Sequence, residues 1–170
     1  IGPKRLMKLI NFLAKRDQHL KSVQIQFSLL APDLGKQYQV KKICDENNID
    51  FFAYSPLSFG ILCIDPDKEE NKEKSFIRNS LFENYKKPTY ELRRCLKRIA
   101  NQRSVSQAQV AINWCCYQGT IPLVGMRKKS QVIDVSNVFN WNLKKNEFKV
   151  LQEVSKKCLK KMPKNPFSSN

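Results

Sequence analysis

Residues 53–60 read AYSPLSFG and close a short apolar run, IDFF. A strand that ends in tyrosine, serine and proline offers a flat aromatic ring and a hydroxyl at a turn. A second group lies downstream. Gly125 lets the backbone after TIPLV come close to a ligand. Arg127, Lys128, Lys129 and Ser130 follow, at the start of an amphipathic helix. A helix start offers N–H groups and a partial positive charge to an anion, and arginine adds a planar fork that meets phosphate oxygens in pairs. Each feature has a plainer alternative. Tyr54 can be a packing aromatic, Gln24 of VQIQF an ordinary polar residue on a half-exposed strand face, and residues 127–129 a solvated basic turn.

Other chemistry is thin. His19, the one histidine, falls between the first helix and the first strand and reads as a linker or surface residue. The cysteines are Cys44, Cys63, Cys95, Cys115, Cys116 and Cys158. None forms a CxxC pair, and several sit in apolar stripes, where cysteine acts as a small hydrophobe. They read as reduced and mostly buried, which suggests an intracellular compartment, the cytoplasm or an organelle.

The 170 residues suffice for one core or for a large piece of a bigger one. With 41% hydrophobic and 27% charged residues the chain is not disordered as a whole. No apolar run approaches the ~20 residues of a membrane helix. The first residue is Ile1 rather than Met, so the sequence is expected to start inside a longer chain. The net charge of +16 is uneven: residues 1–85 carry 13 Lys/Arg and 11 Asp/Glu, residues 86–170 carry 18 and 4. A basic half invites a nucleic-acid reading. The charges are spread along helix faces with no RRM or KH signature, so a solvated surface is favoured.

The elements that must position these residues follow from periodicity. GPKRLMKLINFLAKRDQ opens as a helix with Pro3 at its first position and Leu6, Leu9, Ile10 and Leu13 on one face. In SVQIQFSLL, Val23, Ile25 and Phe27 alternate with polar residues, which reads as a strand. After a PDLG turn, Val40, Ile43 and Cys44 make a helical stripe that Asn47-Asn48 can stop. IDFFAYS is a second strand, apolar on both faces as in buried parallel sheets. Residues 63–87 are charged, lack a clean period and read as a long loop. Thr89 can cap the next helix, and Ser106 with Gln109 forms a capping box for another. TIPLVG is a third strand, with helices in KKSQVIDVSNVF and KKNEFKVLQEVSKKCL and a frayed tail at 160–170. Strands alternating with helices predict a parallel α/β sheet. Three strands make either a small sandwich or part of a closed barrel.

In order and spacing, VQIQFSLL, NIDFFAYSPLSFGIL and VSQAQVAINWCCYQGTIPLVGMRKKSQV resemble the C-terminal half of the aldo-keto reductases. That family is a (β/α)₈ TIM barrel of NADPH-dependent carbonyl reductases. The resemblance covers residues 1–159, which it makes strands six to eight of a partial barrel, and it sets the start of the chain just past the Ser-Asn that ends strand five. It implies that Tyr54 stacks on the nicotinamide of NADPH, that Gln24 holds the carboxamide, and that Ser55 and the backbone at Pro56 and Leu57 bond the pyrophosphate. It also implies that Arg127, with Lys128 and Lys129, clamps the 2′-phosphate, that Gly125 and Met126 bind the cofactor beside them, and that Gln131 and Asp134 lie in the cofactor contact of the last helix. Such groups sit at the C-terminal ends of barrel strands.

The chain departs from the pattern at two places. Ile64-Asp65 stands where the family commonly has Gly-Lys, and Asp134-Val135 where it has Glu-Asn. The family's catalytic Asp, Tyr, Lys and His lie on its first four strands and have no counterpart here, so no catalytic residue is assigned. The resemblance implies half of an oxidoreductase for aldehydes or ketones. Its partners would be a small carbonyl substrate and the N-terminal half of the barrel or a complementing chain. The alternative is a non-catalytic cofactor-sensing subunit of the same fold. Neither nucleic acid nor membrane is an expected partner.

Overall fold

The computed structural model describes residues 1–31, 34–68 and 76–160, with the backbone alone at Leu34 and at residues 76–82. Helix α1 (Pro3–Ala14) leads to strand β1 (Ser22–Gln26), then α2 (Leu34–Glu46), β2 (Asp50–Tyr54) and a kinked 3₁₀ segment at Ser58–Cys63. Helices α3 (Phe76–Arg103) and α4 (Gln107–Tyr117) follow, then β3 (Ile121–Leu123), α5 (Lys129–Ser136), a 3₁₀ turn at Asn137–Asn140 and α6 (Lys145–Leu159). The strands form one parallel sheet in the order β1-β2-β3. This is the α/β arrangement expected, with surrounding helices and a three-stranded portion of a barrel.

Alternation along β1 and β2 sends Val23, Ile25, Phe51 and Ala53 into the core, continued by Phe27 just past β1. Phe27 is its hub. Its ring meets Tyr38 of α2 and Phe51 edge-on and stacks 5.3 Å from Trp114 of α4. Such aromatic pairs add to the burial of apolar area that drives the packing. The other sheet face is different. Gln24 is exposed, Phe52 half-buried, and Tyr54, Ile121 and Leu123 are 36%, 42% and 39% exposed. The described residues therefore cover one face of the sheet where IDFFAYS anticipates cover on both.

Two sequence expectations are corrected. Residues 76–87 are helical rather than loop, and Thr89 lies inside α3 rather than at its start. Pro88 brings no N–H to the helix ladder. The buried Thr89 hydroxyl instead donates to the Tyr85 carbonyl at 2.6 Å, and the buried Arg93 guanidinium to the Lys86 carbonyl at 2.8 Å. The carbonyl that Pro88 leaves without its usual donor is that of Asn84, an exposed residue, and the side-chain bonds hold the next two carbonyls of the same turn. Of PDLG, Leu34 and Gly35 already belong to α2, while Pro32 and Asp33 lie outside the described residues, as does the tail at 161–170. The Asn47-Asn48 stop holds: α2 ends at Glu46 and Asn48 takes a left-handed φ of 53°.

All six cysteines are free thiols, four of them buried. Burial pushes the Cys44 thiol up to about 11. Among the described residues no helix is long and apolar enough to cross a membrane.

Helix α6 is fastened at its start. Arg103 grips Glu147 with two bonds, 3.0 and 2.7 Å, and lies 5.0 Å over the Trp141 ring, while the Lys144 N–H donates to Glu147 at 2.7 Å. Burial works to raise the Glu147 carboxyl, but the Arg103 and Lys144 hydrogen bonds outweigh it and hold the group below its ordinary range. A carboxylate with a lowered folded pKa stabilises fully above its unfolded value, and that contribution fades as pH falls through the folded value. Glu147→Gln should cost about 1.5–3 kcal/mol at pH 7, the range for hydrogen bonds to a charged group. Urea unfolding at pH 7 and pH 3 checks this. The gap between wild type and variant should shrink in acid, and a gap of equal size at both pH values refutes the assignment.

Candidate cofactor site

Because all three strands are parallel, their C-terminal ends lie along one edge of the sheet. The register sets Gln26 beside Tyr54 and Tyr54 beside Leu123. Gln24, opposite Phe52, lies one step down from Tyr54 on the same open face. The two chemically distinct stretches leave from this edge: residues 55–60 after β2, and 124–128 after β3. His19 is exposed and precedes β1, at the opposite end.

The turn after Tyr54 is held in an unusual shape. Ser55, Ser58 and Phe59 have φ values of 53°, 48° and 59°, and Gly60 follows at 96°. Glycine accepts this region freely. Other L residues pay roughly 1–2 kcal/mol each, and such conformations gather at binding sites. Tertiary bonds impose the shape. The buried Ser58 and Ser28 hydroxyls bond at 2.9 Å, and Ser28 also accepts from the Leu30 N–H. The Ser58 N–H donates to the Ser55 carbonyl, and the Gly60 N–H to that of Leu57. Ser28, Ser58 and Phe59 escape a reading of the sequence, because positive φ at a residue other than glycine leaves little mark there.

Past β3, Gly125 has nothing within 4 Å of where a Cβ would stand, and Met126, Arg127, Lys128 and Lys129 are exposed. The start of α5 differs from the free helix N-terminus anticipated. The Gln131 side-chain oxygen accepts from the N–H groups of Arg127 (2.8 Å) and Lys128 (3.0 Å). An anion at this turn is left the Lys129 and Ser130 amides of the first helical turn together with the side chains. Asp134 is also engaged: its carboxylate accepts from the Ser106 hydroxyl at 2.6 Å and the Gln109 amide at 2.7 Å. The expected capping box of α4 is half formed. Ser106 caps the Gln109 N–H at 3.1 Å, but the Gln109 side chain turns to Asp134 and Trp141.

Asp65, the acid standing where a lysine is usual, is neutralised from α3. Lys97 lies 2.6 Å from it, and also bonds Asp67 at 2.9 Å. The Lys97 hydrogen bond, with that of the Asp67 N–H, holds the Asp65 carboxyl below its ordinary range. The sequence departure therefore leaves no unpaired acid beside the turn. An exposed tyrosine, a constrained serine turn and an Arg127 that makes no ion pair among the described residues stand at the same end of the sheet.

The aldo/keto reductase family model matches residues 2–156, and the chain belongs to this family. It is 36% identical over 169 residues to "Pyridoxal reductase, chloroplastic" of Arabidopsis thaliana, covering 99% of this chain and 45% of that protein. It is 24% identical to "(1S)-1,7-diacetoxy-luvungin A aldo-keto reductase" of Citrus sinensis, covering 91% of this chain and 43% of that one. The chain thus spans about half the length of the curated relatives it matches. Among solved structures, a thermostable aldo-keto reductase in complex with the inhibitor epalrestat superposes with a TM-score of 0.57 at 14% identity, covering 78% of this chain and 39% of that chain. That likeness shows the fold.

Proposed function

We propose that this chain is the cofactor-holding portion of an NADPH-dependent reductase that turns aldehydes or ketones into alcohols, in the cytoplasm or an organelle. The observation that carries the reading is that the Tyr54–Gly60 turn and the Gly125–Arg127 turn leave the same end of two adjacent parallel strands. Tyr54 offers its ring to one side of the nicotinamide, and Gln24 on the same face holds the carboxamide. Ser55, with the backbone at Pro56 and Leu57, bonds the pyrophosphate. Arg127 reaches the 2′-phosphate. When bound, NADPH supplies the two electrons and the hydrogen that reduce the carbonyl. The chain's own part is to bind and orient, since the family's proton-donating tyrosine has no counterpart among these residues.

The name of the Arabidopsis relative makes pyridoxal the first carbonyl to try. The test is a fluorescence titration of the natural full-length protein with NADPH, followed by NADPH consumption with pyridoxal and other aldehydes. Binding with turnover is expected. Binding without turnover of any carbonyl favours a cofactor-sensing subunit, and no binding of NADPH removes both readings.

A further inference from the structure

Helix α5 carries Arg127 at its entrance, and little apolar surface fixes it: Val135 is its one half-buried apolar residue. None of its residues is buried, and Val132 and Ile133 are 49% and 55% exposed. Its side-chain hydrogen bonds to α4 and the cap before it run through Asp134. The direction of every hydrogen bond in this bracket is fixed. The Trp141 indole can only donate, and does so to the Gln109 side-chain oxygen at 3.1 Å. The Gln109 amide nitrogen must therefore point the other way, where it meets Asp134. The Ser106 hydroxyl oxygen accepts the Gln109 N–H, which leaves its proton for the other Asp134 oxygen. One turn along α4, buried Asn113 donates to the carbonyls of Val138 and Trp141, so the segment after α5 is anchored to the same helix. At the opposite end, Gln131 ties the first turn of α5 to the backbone of Arg127 and Lys128.

We infer that Asp134 is a positioning residue: gripped by Ser106 and Gln109, its carboxylate sets where α5 stands and hence where Arg127 meets the cofactor's 2′-phosphate. The inference rests on reading the 125–129 turn as a phosphate clamp, and it assigns Asp134 a role other than contact with the adenine. The two roles differ in a measurable way. Adenine is common to NADPH and NADH, so loss of an adenine contact weakens both alike. Displacement of α5 moves Arg127 and weakens NADPH selectively.

The experiment compares Asp134→Ala, Gln109→Met and the double variant of the natural full-length protein, titrated with NADPH and NADH. Amide exchange over residues 129–136 is followed in parallel. Each single variant should lower the NADPH-to-NADH affinity ratio roughly three- to tenfold, and the double variant no further, because both cut one network. Exchange in α5 should quicken about tenfold in each. Ser106→Thr, which keeps the hydroxyl, should hold the wild-type ratio where Ser106→Ala loses it. Equal losses for both cofactors in Asp134→Ala, with Gln109→Met silent, overturn the inference in favour of an adenine contact. Unchanged exchange in both single variants overturns it whatever the cofactors do. Arg127→Ala is the control. If it leaves the ratio unaltered the phosphate-clamp reading falls, while the exchange data still decide whether the bracket places α5.

Discussion

By itself, the 170-residue chain is expected to reduce no aldehyde above a blank, and to self-associate. Both outcomes follow from what the sheet lacks. Resemblance to the family puts its Asp, Tyr, Lys and His on strands that these residues do not include. Loss of the general acid alone typically costs ~10²–10⁴-fold, before any loss of substrate contacts. Among the described residues the sheet has two unpaired parallel edges, at β1 and β3, and an open face where Phe52 is half-buried and Tyr54, Ile121 and Leu123 are exposed. Open edges recruit further strands, and an apolar face draws other apolar surface. Sedimentation should give a broad distribution. A polypeptide supplying the family's first five strands should collapse it to a 1:1 complex that consumes NADPH with an aldehyde. NADPH consumption first order in the isolated chain sinks the first expectation. A sharp monomer boundary with a cooperative melt sinks the second.

Much of the fold is legible in short patterns. Val23, Ile25 and Phe27 alternate, and the structure buries all three. Pro3 opens α1 and Ser106 caps α4, both local signals with local causes. What escaped depends on partners distant in sequence or on bonds with no composition signal. The first turns of α3 are hidden by charge and by Pro88, around which Thr89 and Arg93 bond the Tyr85 and Lys86 carbonyls. Asp65 reads as a misplaced acid until Lys97, on another element, is seen beside it. At the candidate site, the types and order of Tyr54, Ser55, Gly125 and Arg127 were legible, and parallel topology brings them to one edge. That Gln131 and Asp134 spend their side-chain oxygens within the chain was not legible. A glutamine three residues into a helix looks the same whether it faces a ligand or caps its own backbone.

That last point sharpens the second expected result, a loss of ten- to a hundredfold in NADPH affinity for Arg127→Ala in the natural full-length protein, with NADH almost unchanged. Had the amides of Arg127 and Lys128 been free, the helix start could have held a phosphate without the arginine. Gln131 occupies both, at 2.8 and 3.0 Å, which leaves the Lys129 and Ser130 amides and the side chains to attract an anion, with arginine the one group that meets phosphate oxygens in pairs. Arg127 is exposed and makes no ion pair among the described residues, so its guanidinium can turn to a ligand without breaking a bond. Charge-assisted hydrogen bonds contribute roughly 1.5–3 kcal/mol each, and the net loss of about one such bond converts into the stated range. Lys128 and Lys129 stand beside it and can recover part of the loss as point charges, which sets the lower end. For the same reason Arg127→Lys should fall between the two, because an ammonium keeps the charge and loses the paired geometry. Raising the salt should weaken NADPH more than NADH in the wild type and should narrow that difference in Arg127→Ala, since an exposed charge pair is screened. Fluorescence titrations with both cofactors at two salt concentrations check all three statements. Equal losses for NADPH and NADH, or none for either, would show that residues 127–129 are a solvated basic turn and that cofactor choice is made elsewhere.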